Sequence, residues 1–574
     1  MLTLHLDGFT EILHGMRLSS ALFLPLFLAA AACDSVPETI ALLDAQIEAR
    51  APDAFPDTSP PTPDAGASTV PFQQGTGVTT ASGKVTGTAK SGLRIFKGIP
   101  YAEPPVGNLR LRAPVPVTPW TETLKATAFG PACPQESELV AGTKMSEDCL
   151  TLNIWAHDDA TSDYPVMFWI HGGAFNLGSS AMAMWEASDL ARDGKVVVVS
   201  INYRLGALGF LAIPELQAED PKKRVGNLGI QDQVEALRWV RQNIRAFGGD
   251  PENITVFGES AGGISVCALL GAPDADGLFQ RAISESGTGC NLFLEATKKN
   301  TFGDSAFDLG EEHLKKLGCA DAADRLACLR KLPVTELVKL WSTAAMLGGG
   351  SSSLDLWPVV DGAFLPKLPL ERMRDGETPT VDVIFGSNQD EASLFSTTMV
   401  ILTRADLHQE LLQMVGGDTA LADKLMEIYP ALEFPLPKNA YLAAMGDVMF
   451  NCGTLAAAQT MGSRGRVYYF QKAPVVVDLT LGRAHSIELL YVFGSFASLG
   501  VIPSVLDLQV EATVQKAWGS FARAGAPEVP KTGWPAYDAQ APSILSIDAT
   551  PALLQSSSYR GGRCDKLRAL GLVP

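Results

Sequence analysis

The chain has 574 residues, 46% of them hydrophobic and 19% charged, with a formal net charge of -18. That composition supplies a buried core and excludes general disorder. The acidic balance argues against nucleic acid as a partner, because phosphate binding rests on clustered Lys and Arg, and no such cluster occurs.

Residues 18–32 form an apolar run, short for a membrane span but suited to the core of a signal peptide, and it ends in Ala29-Ala30-Ala31-Ala32-Cys33. Asp7 and Glu11 are foreign to a basic leader, whereas Met16 followed by Arg17 begins one normally and is the alternative start. The small residues before Cys33 resemble the lipobox of bacterial lipoproteins, with Ala30 where Leu is usual. This implies lipidation of Cys33 and a membrane anchor; the other reading is a plain signal cut at an A-x-A site. Both imply export. Residues 33–69 are polar and Pro-rich, lack the apolar side chains for a core, and read as a tether. The expected organisation is therefore a leader over 1–32, the tether over 33–69 and a folded domain over 70–574.

Within that domain, Val166-Met167-Phe168-Trp169-Ile170 and Val196-Val197-Val198-Val199 are continuous apolar runs, the pattern of strands buried on both faces of a parallel sheet. Val234, Leu237, Val240 and Ile244 recur at helical spacing and predict a helix over about 229–247, ended by Gly248-Gly249-Asp250-Pro251. A strand at Asn253-Ile254-Thr255-Val256-Phe257 and a helix over 261–270 follow. The alternation predicts an α/β fold with a mostly parallel sheet and flanking helices.

At the last junction stands Gly258-Glu259-Ser260-Ala261-Gly262, a G-x-S-x-G nucleophile elbow. Its glycines are needed because the turn is sharp and leaves no room for side chains beside the exposed Ser. A short motif is weak alone, and the strand, turn and helix around it are what give it weight. His171-Gly172-Gly173-Ala174-Phe175 follows an earlier strand, as a loop offering N–H donors to an oxyanion would.

The partners of such a Ser follow in the order acid, then His. Of seven histidines, only His408 and His485 lie far enough downstream. His408 falls in a helical pattern and reads as a surface residue. His485 lies between a Gly-containing loop and a new helix, where a sheet-top loop presents a base. The acid is expected just beyond the strand Val383-Ile384-Phe385-Gly386, where Asp390 and Glu391 are equally placed.

Taken in order, Phe96-Lys97-Gly98-Ile99-Pro100-Tyr101-Ala102, Glu147-Asp148-Cys149-Leu150, His171-Gly172-Gly173-Ala174-Phe175, Asn202-Tyr203-Arg204, Gly258-Glu259-Ser260-Ala261-Gly262-Gly263, Asp390-Glu391 and His485 resemble the type-B carboxylesterases. That family has the α/β-hydrolase fold and includes bacterial esterases, fungal lipases, cholinesterases and the non-catalytic neuroligins. The likeness runs from about Val85 to near the C-terminus. It implies a serine esterase with the triad Ser260, Glu391 and His485, cleaving small-molecule carboxylic esters without metal or cofactor. It further implies oxyanion donors at Gly173, Ala174 and Ala261 and a supporting hydroxyl at Ser286. Glu259 is then either a pocket acid or a residue shaping the elbow. A lipase acting on acylglycerols is the alternative within hydrolases, and a neuroligin-like binding protein the alternative outside them; the latter conflicts with a fully occupied triad.

Nine cysteines and no Cys-x-x-Cys pair fit an oxidising compartment rather than zinc or thioredoxin-like chemistry. The resemblance implies the pairs Cys133–Cys149, Cys319–Cys328 and Cys452–Cys564, leaving Cys267 and Cys290 unpaired, with Cys267 a small buried hydrophobe. Cholinesterases carry a cation-binding Trp before the Glu-Asp-Cys motif, but residues 134–148 contain no aromatic side chain, so a choline ester is not the expected substrate.

Overall fold

Successive residues of the 166–170 run bury into two different cores: Val166, Phe168 and Ile170 into one, Met167 and Trp169 into the other. Val197, Val199 and Ile201 alternate in the same way with Val196 and Val198. A strand covered on both faces is apolar throughout, which is why these runs lack polar alternation. They belong to an eleven-stranded sheet in the computed structural model, which describes residues 70–136, 140, 143–159, 161–299, 304–341, 355–396 and 400–574. The leader, Cys33 and the tether lie outside the described residues.

In chain order the strands are β1 Thr88–Lys90, β2 Leu93–Pro100, β3 Thr151–His157, β4 Tyr164–Ile170, β5 Val197–Ile201, β6 Gly249–Glu259, β7 Arg281–Glu285, β8 Asp382–Asn388, β9 Gly465–Phe470, β10 Ser543–Ile547 and β11 Ala552–Gln555. Their spatial order is β11, β10, β9, β8, β7, β6, β4, β5, β3, β2, β1. From β5 to β10 all neighbours are parallel, and antiparallel pairs close both edges. The expected α/β architecture is present.

The helices that matter below are α1 Leu228–Asn243, α2 Ala261–Gly271, α3 Arg404–Met414, α4 Cys452–Met461, α5 Leu489–Phe493 and α6 Val505–Ala524. On α1, Val234, Leu237 and Val240 enter the first core; the helix passes into a 3-10 turn over Ile244–Phe247 and stops at Gly248, whose φ of +93° suits glycine. Val510, Val514 and Trp518 of α6 cover the opposite face.

Four disulfides cross-link the described residues. Cys133–Cys149, Cys319–Cys328 and Cys452–Cys564 are as the resemblance implied. Cys267 is buried as expected, but it is not unpaired: it is bonded to Cys290, with Cα atoms 5.0 Å apart. The loop after β7 lies backbone to backbone on the first turn of α2, so that a Cβ on Gly263 would stand 2.9 Å from the Cα of Gly287. This contact between two glycines carries Cys290 to Cys267, and no spacing in the sequence announces it.

Candidate active site

Glu259 ends β6, Ala261 begins α2, and Ser260 between them holds φ 57° and ψ −122°, a conformation that only a tightly determined turn enforces. The flanking glycines make the turn possible. A Cβ on Gly258 would lie 2.6 Å from the carbonyl carbon of Gly262, and one on Gly262 would lie 2.0 Å from the carbonyl oxygen of Ile170 in β4. The N–H of Ser260 donates to the carbonyl of Glu285 at 2.9 Å, seating the elbow on β7. The side chain at 260 remains partly exposed.

His485 and Glu391 are brought together from elements 94 positions apart, with Nδ1 of the imidazole 2.6 Å from Glu391 Oε2. The other carboxylate oxygen accepts from Ser286 Oγ at 2.7 Å and from the N–H of Asn388 at 2.7 Å, so Glu391 is held on both sides. Asp390 is turned elsewhere: its Oδ2 accepts the N–H of Arg483 at 2.9 Å and ties the loop before His485 to the end of β8. Among the described residues Nε2 of His485 has no hydrogen-bond partner; Oε1 of Glu259 lies 3.1 Å away and accepts from Ser486 Oγ at 2.6 Å. Phe395 and Phe450 flank the imidazole at 5.1 and 4.9 Å between ring centres. His408 lies on α3, paired with Asp423 at 2.9 Å, as its helical setting predicted.

The loop after β4 meets the elbow in backbone contact, since a Cβ on Gly172 would stand 2.8 Å from the carbonyl oxygen of Glu259. Gly173, Ala174 and Phe175 all have positive φ, at 113°, 50° and 60°. Among the described residues, the N–H groups of Gly173, Ala174 and Ala261 donate to no protein acceptor. His171 holds the loop from below: its Nδ1 meets the Gly172 carbonyl at 2.8 Å, and Tyr203 stacks on the ring while its OH donates to the His171 carbonyl at 2.8 Å. Burial pushes the His171 pKa down to about 4, so the ring is neutral there. Arg204 beside it is locked to Asp232 by a buried two-pronged ion pair, 2.6 and 2.8 Å, which accounts for the Asn202-Tyr203-Arg204 station structurally.

Sequence reasoning named Glu259 and Glu391 but missed Glu285 and Glu488, two further buried carboxyl groups next to them. Strand register sets Glu259 beside Glu285, Glu285 beside Gly386, and Gly386 beside Tyr468. The Tyr468 ring lies over Gly386, where a Cβ would touch it at 1.8 Å. Glu488, three residues beyond His485, joins this row and accepts from the side chain of Asn388. Trp518 of α6 donates to Glu285 at 2.7 Å. Four buried carboxyl groups, Glu259, Glu285, Glu391 and Glu488, thus cluster together, two of them against the His485 imidazole, and cannot all be ionised. Burial drives Glu285 up to about 8, with Glu259 adding repulsion against the Trp518 hydrogen bond. Burial and its three acidic neighbours drive Glu488 well above the carboxylate range. Glu285 is therefore mainly protonated at neutral pH, and burial shifts Glu488 and Glu259 in the same direction. The only advance signal was Glu488 at three residues from His485.

The carboxylesterase family profile matches residues 74–565. The chain is 36% identical over 488 residues to the para-nitrobenzyl esterase of Bacillus subtilis (strain 168), covering 82% of this chain and 94% of that protein. It is 34% identical over 496 residues to the phenmedipham hydrolase of Pseudarthrobacter oxydans, with the same two coverages. Among solved structures, a para-nitrobenzyl esterase superimposes with a TM-score of 0.73 at 35% identity, over 85% of this chain and 99% of that one. A Geobacillus stearothermophilus carboxylesterase gives 0.72 at 33%, over 85% and 100%. The sheet described above is thus an α/β-hydrolase fold, and the chain belongs to the carboxylesterase family as a carboxylic-ester hydrolase.

Proposed function

We propose that the chain cleaves small-molecule carboxylic esters by two-step acyl transfer, with Ser260 as nucleophile, His485 as general base and then acid, and Glu391 as the group that orients and supports the imidazolium. The observation that carries this reading is the 2.6 Å contact of Glu391 with His485 Nδ1, with Nε2 left without a hydrogen bond among the described residues and 3.1 Å from Glu259 of the elbow. Ser260 Oγ attacks the ester carbonyl and passes its proton to Nε2; the N–H groups of Gly173, Ala174 and Ala261 hold the oxyanion; the alcohol leaves with that proton. Water, deprotonated by the same nitrogen, then releases the acid. Ser286 steadies Glu391, and Glu259 sets a second carboxyl group beside the base.

The substrate class follows from what is absent between 134 and 148: with no aromatic side chain there, a quaternary ammonium has no cage, and neutral esters are the expected class. Export is part of the same proposal, supported by the apolar run at 18–32 and by four disulfides, which suit an oxidising compartment. Cys33 is the proposed lipidation site and membrane anchor, and its replacement by Ala should abolish incorporation of labelled fatty acid.

The test is hydrolysis of p-nitrophenyl esters from acetate to palmitate by the chain from Ser35 onward and by its Ser260→Ala variant. Activity that collapses in the variant supports the serine mechanism, and the chain length of the best substrate separates an esterase from an acylglycerol lipase. Undiminished turnover by Ser260→Ala would overturn the assignment.

A further inference from the structure

After β7 the backbone enters an unusual run. Ser286, Thr288, Gly289 and Cys290 all have positive φ, at 51°, 56°, 70° and 64°. Three of these are L-residues with side chains, and such conformations persist only where the surroundings over-determine them. The surroundings here are visible. The N–H of Ser286 donates to Gly386 at 2.8 Å; Gly289 presses on the backbone of Gly453 in α4, where a Cβ would stand 2.0 Å from a carbonyl carbon; and Cys290 is bonded to Cys267 on α2. Both sulfurs are fully buried, which removes them from solution redox chemistry while the fold is intact.

What this run delivers is Ser286 Oγ, 2.7 Å from Glu391 Oε1. The loop is thus clamped between α2, the helix that follows Ser260, and the carboxylate that meets His485. On the reading of Glu391 as the catalytic acid, we propose that the Cys267–Cys290 disulfide is a positioning element: it fixes the left-handed loop to the nucleophile helix and so holds the Ser286 hydroxyl on Glu391. The bridge acts through Ser286 and touches no substrate. Without it, the loop from Thr288 to Cys290 relaxes toward ordinary backbone angles, the hydroxyl withdraws, and Glu391 keeps only the N–H of Asn388 on that oxygen.

The experiment is a cycle on the esterase from Ser35 onward: wild type, C267A/C290A, S286A and the triple variant, each with kcat and KM for p-nitrophenyl acetate. C267A/C290A should lose about tenfold in kcat, on the scale by which small misplacements slow catalysis, with KM within about twofold. The triple variant should have the kcat of S286A, because the bridge has nothing left to position, while its thermal midpoint stays lower than that of S286A. A bridge-free enzyme with wild-type kcat, or losses that simply multiply in the triple variant, would overturn the proposal. If C267A/C290A does not fold, C267V/C290A, which refills the buried volume, takes its place in the cycle; failure of both to fold would make the bridge a requirement of the fold instead and overturn it equally. A Ser260→Ala control separates the two levels. Activity retained there defeats the triad itself, whereas activity lost there beside an unimpaired bridge-free enzyme defeats only the role of the bridge.

Discussion

Glu391 Oε2 lies 2.6 Å from Nδ1 of His485, whereas the preceding Asp390 spends its carboxylate on the backbone of Arg483. Two adjacent acids therefore divide the work, one addressing the ring and the other the loop that carries it. Removing the charge at 391 deprives the imidazolium of its partner and unsettles its tautomer, so Glu391→Gln should lower kcat by about 10,000-fold. Asp390→Asn keeps an acceptor for the Arg483 N–H and should cost about tenfold or less. Comparable losses in the two variants, measured on p-nitrophenyl acetate, would contradict this division.

The basicity of His485 is the outcome of a contest. Burial pulls its pKa down, but the carboxylates of Glu259 and Glu391 outweigh that and hold it above the ordinary 6.5. The general base must be neutral, so activity falls as pH drops through that raised value, and the acid limb of kcat/KM should lie above pH 6.5. Glu259→Gln removes one of the two carboxylates, and the limb should move to lower pH. A limb that stays in place or moves upward would remove Glu259 from this role.

Glu285 gives a test on stability rather than rate. Its folded-state pKa is pushed up to about 8 by burial, against an ordinary value of 4.5. Between those two values the folded chain holds a proton that the unfolded chain releases, so the stabilisation is full below 4.5 and is lost as pH rises through about 8. Gln imitates the protonated form at every pH and can still accept from Trp518. In calorimetry, Glu285→Gln should narrow the gap between the thermal midpoints at pH 5.5 and pH 9, raising the latter by a few degrees. An unchanged gap would mean that Glu285 titrates normally.

Ala174 holds φ at 50°, the region that glycine enters freely. Ala174→Gly relieves strain on the order of 1 kcal/mol and incurs a similar entropic cost in the unfolded chain, so stability should change by less than about 1 kcal/mol. The methyl group is lost beside the proposed oxyanion site, and kcat/KM for bulky acyl esters should rise relative to acetate. A uniform change across the acyl series would show that the methyl does not face the acyl group.

Much of this protein was legible along the chain because the relevant information is local. Period-two burial with both faces covered makes β4 and β5 continuous apolar runs, and the helical spacing of Val234, Leu237 and Val240 marks α1. The elbow is written in five consecutive residues because a strand, a sharp turn and a helix must follow one another there. Chain order narrowed the base to His408 or His485, and the local setting of each favoured His485.

What spacing could not decide was which side chains meet across strands. Asp390 and Glu391 are equivalent in sequence and differ only in where the end of β8 points them. Glu285 and Tyr468 become neighbours of Glu259 through the parallel register of β6, β7, β8 and β9, with Gly386 leaving the gap that the Tyr468 ring fills. Cys267 and Cys290, 23 residues apart in sequence, pair because two glycine backbones touch. Local order in the chain determined the elements and the elbow that carries the proposed nucleophile; the electrostatic setting of His485 and the fourth disulfide depend on distances between residues far apart in sequence, and only tertiary packing sets those.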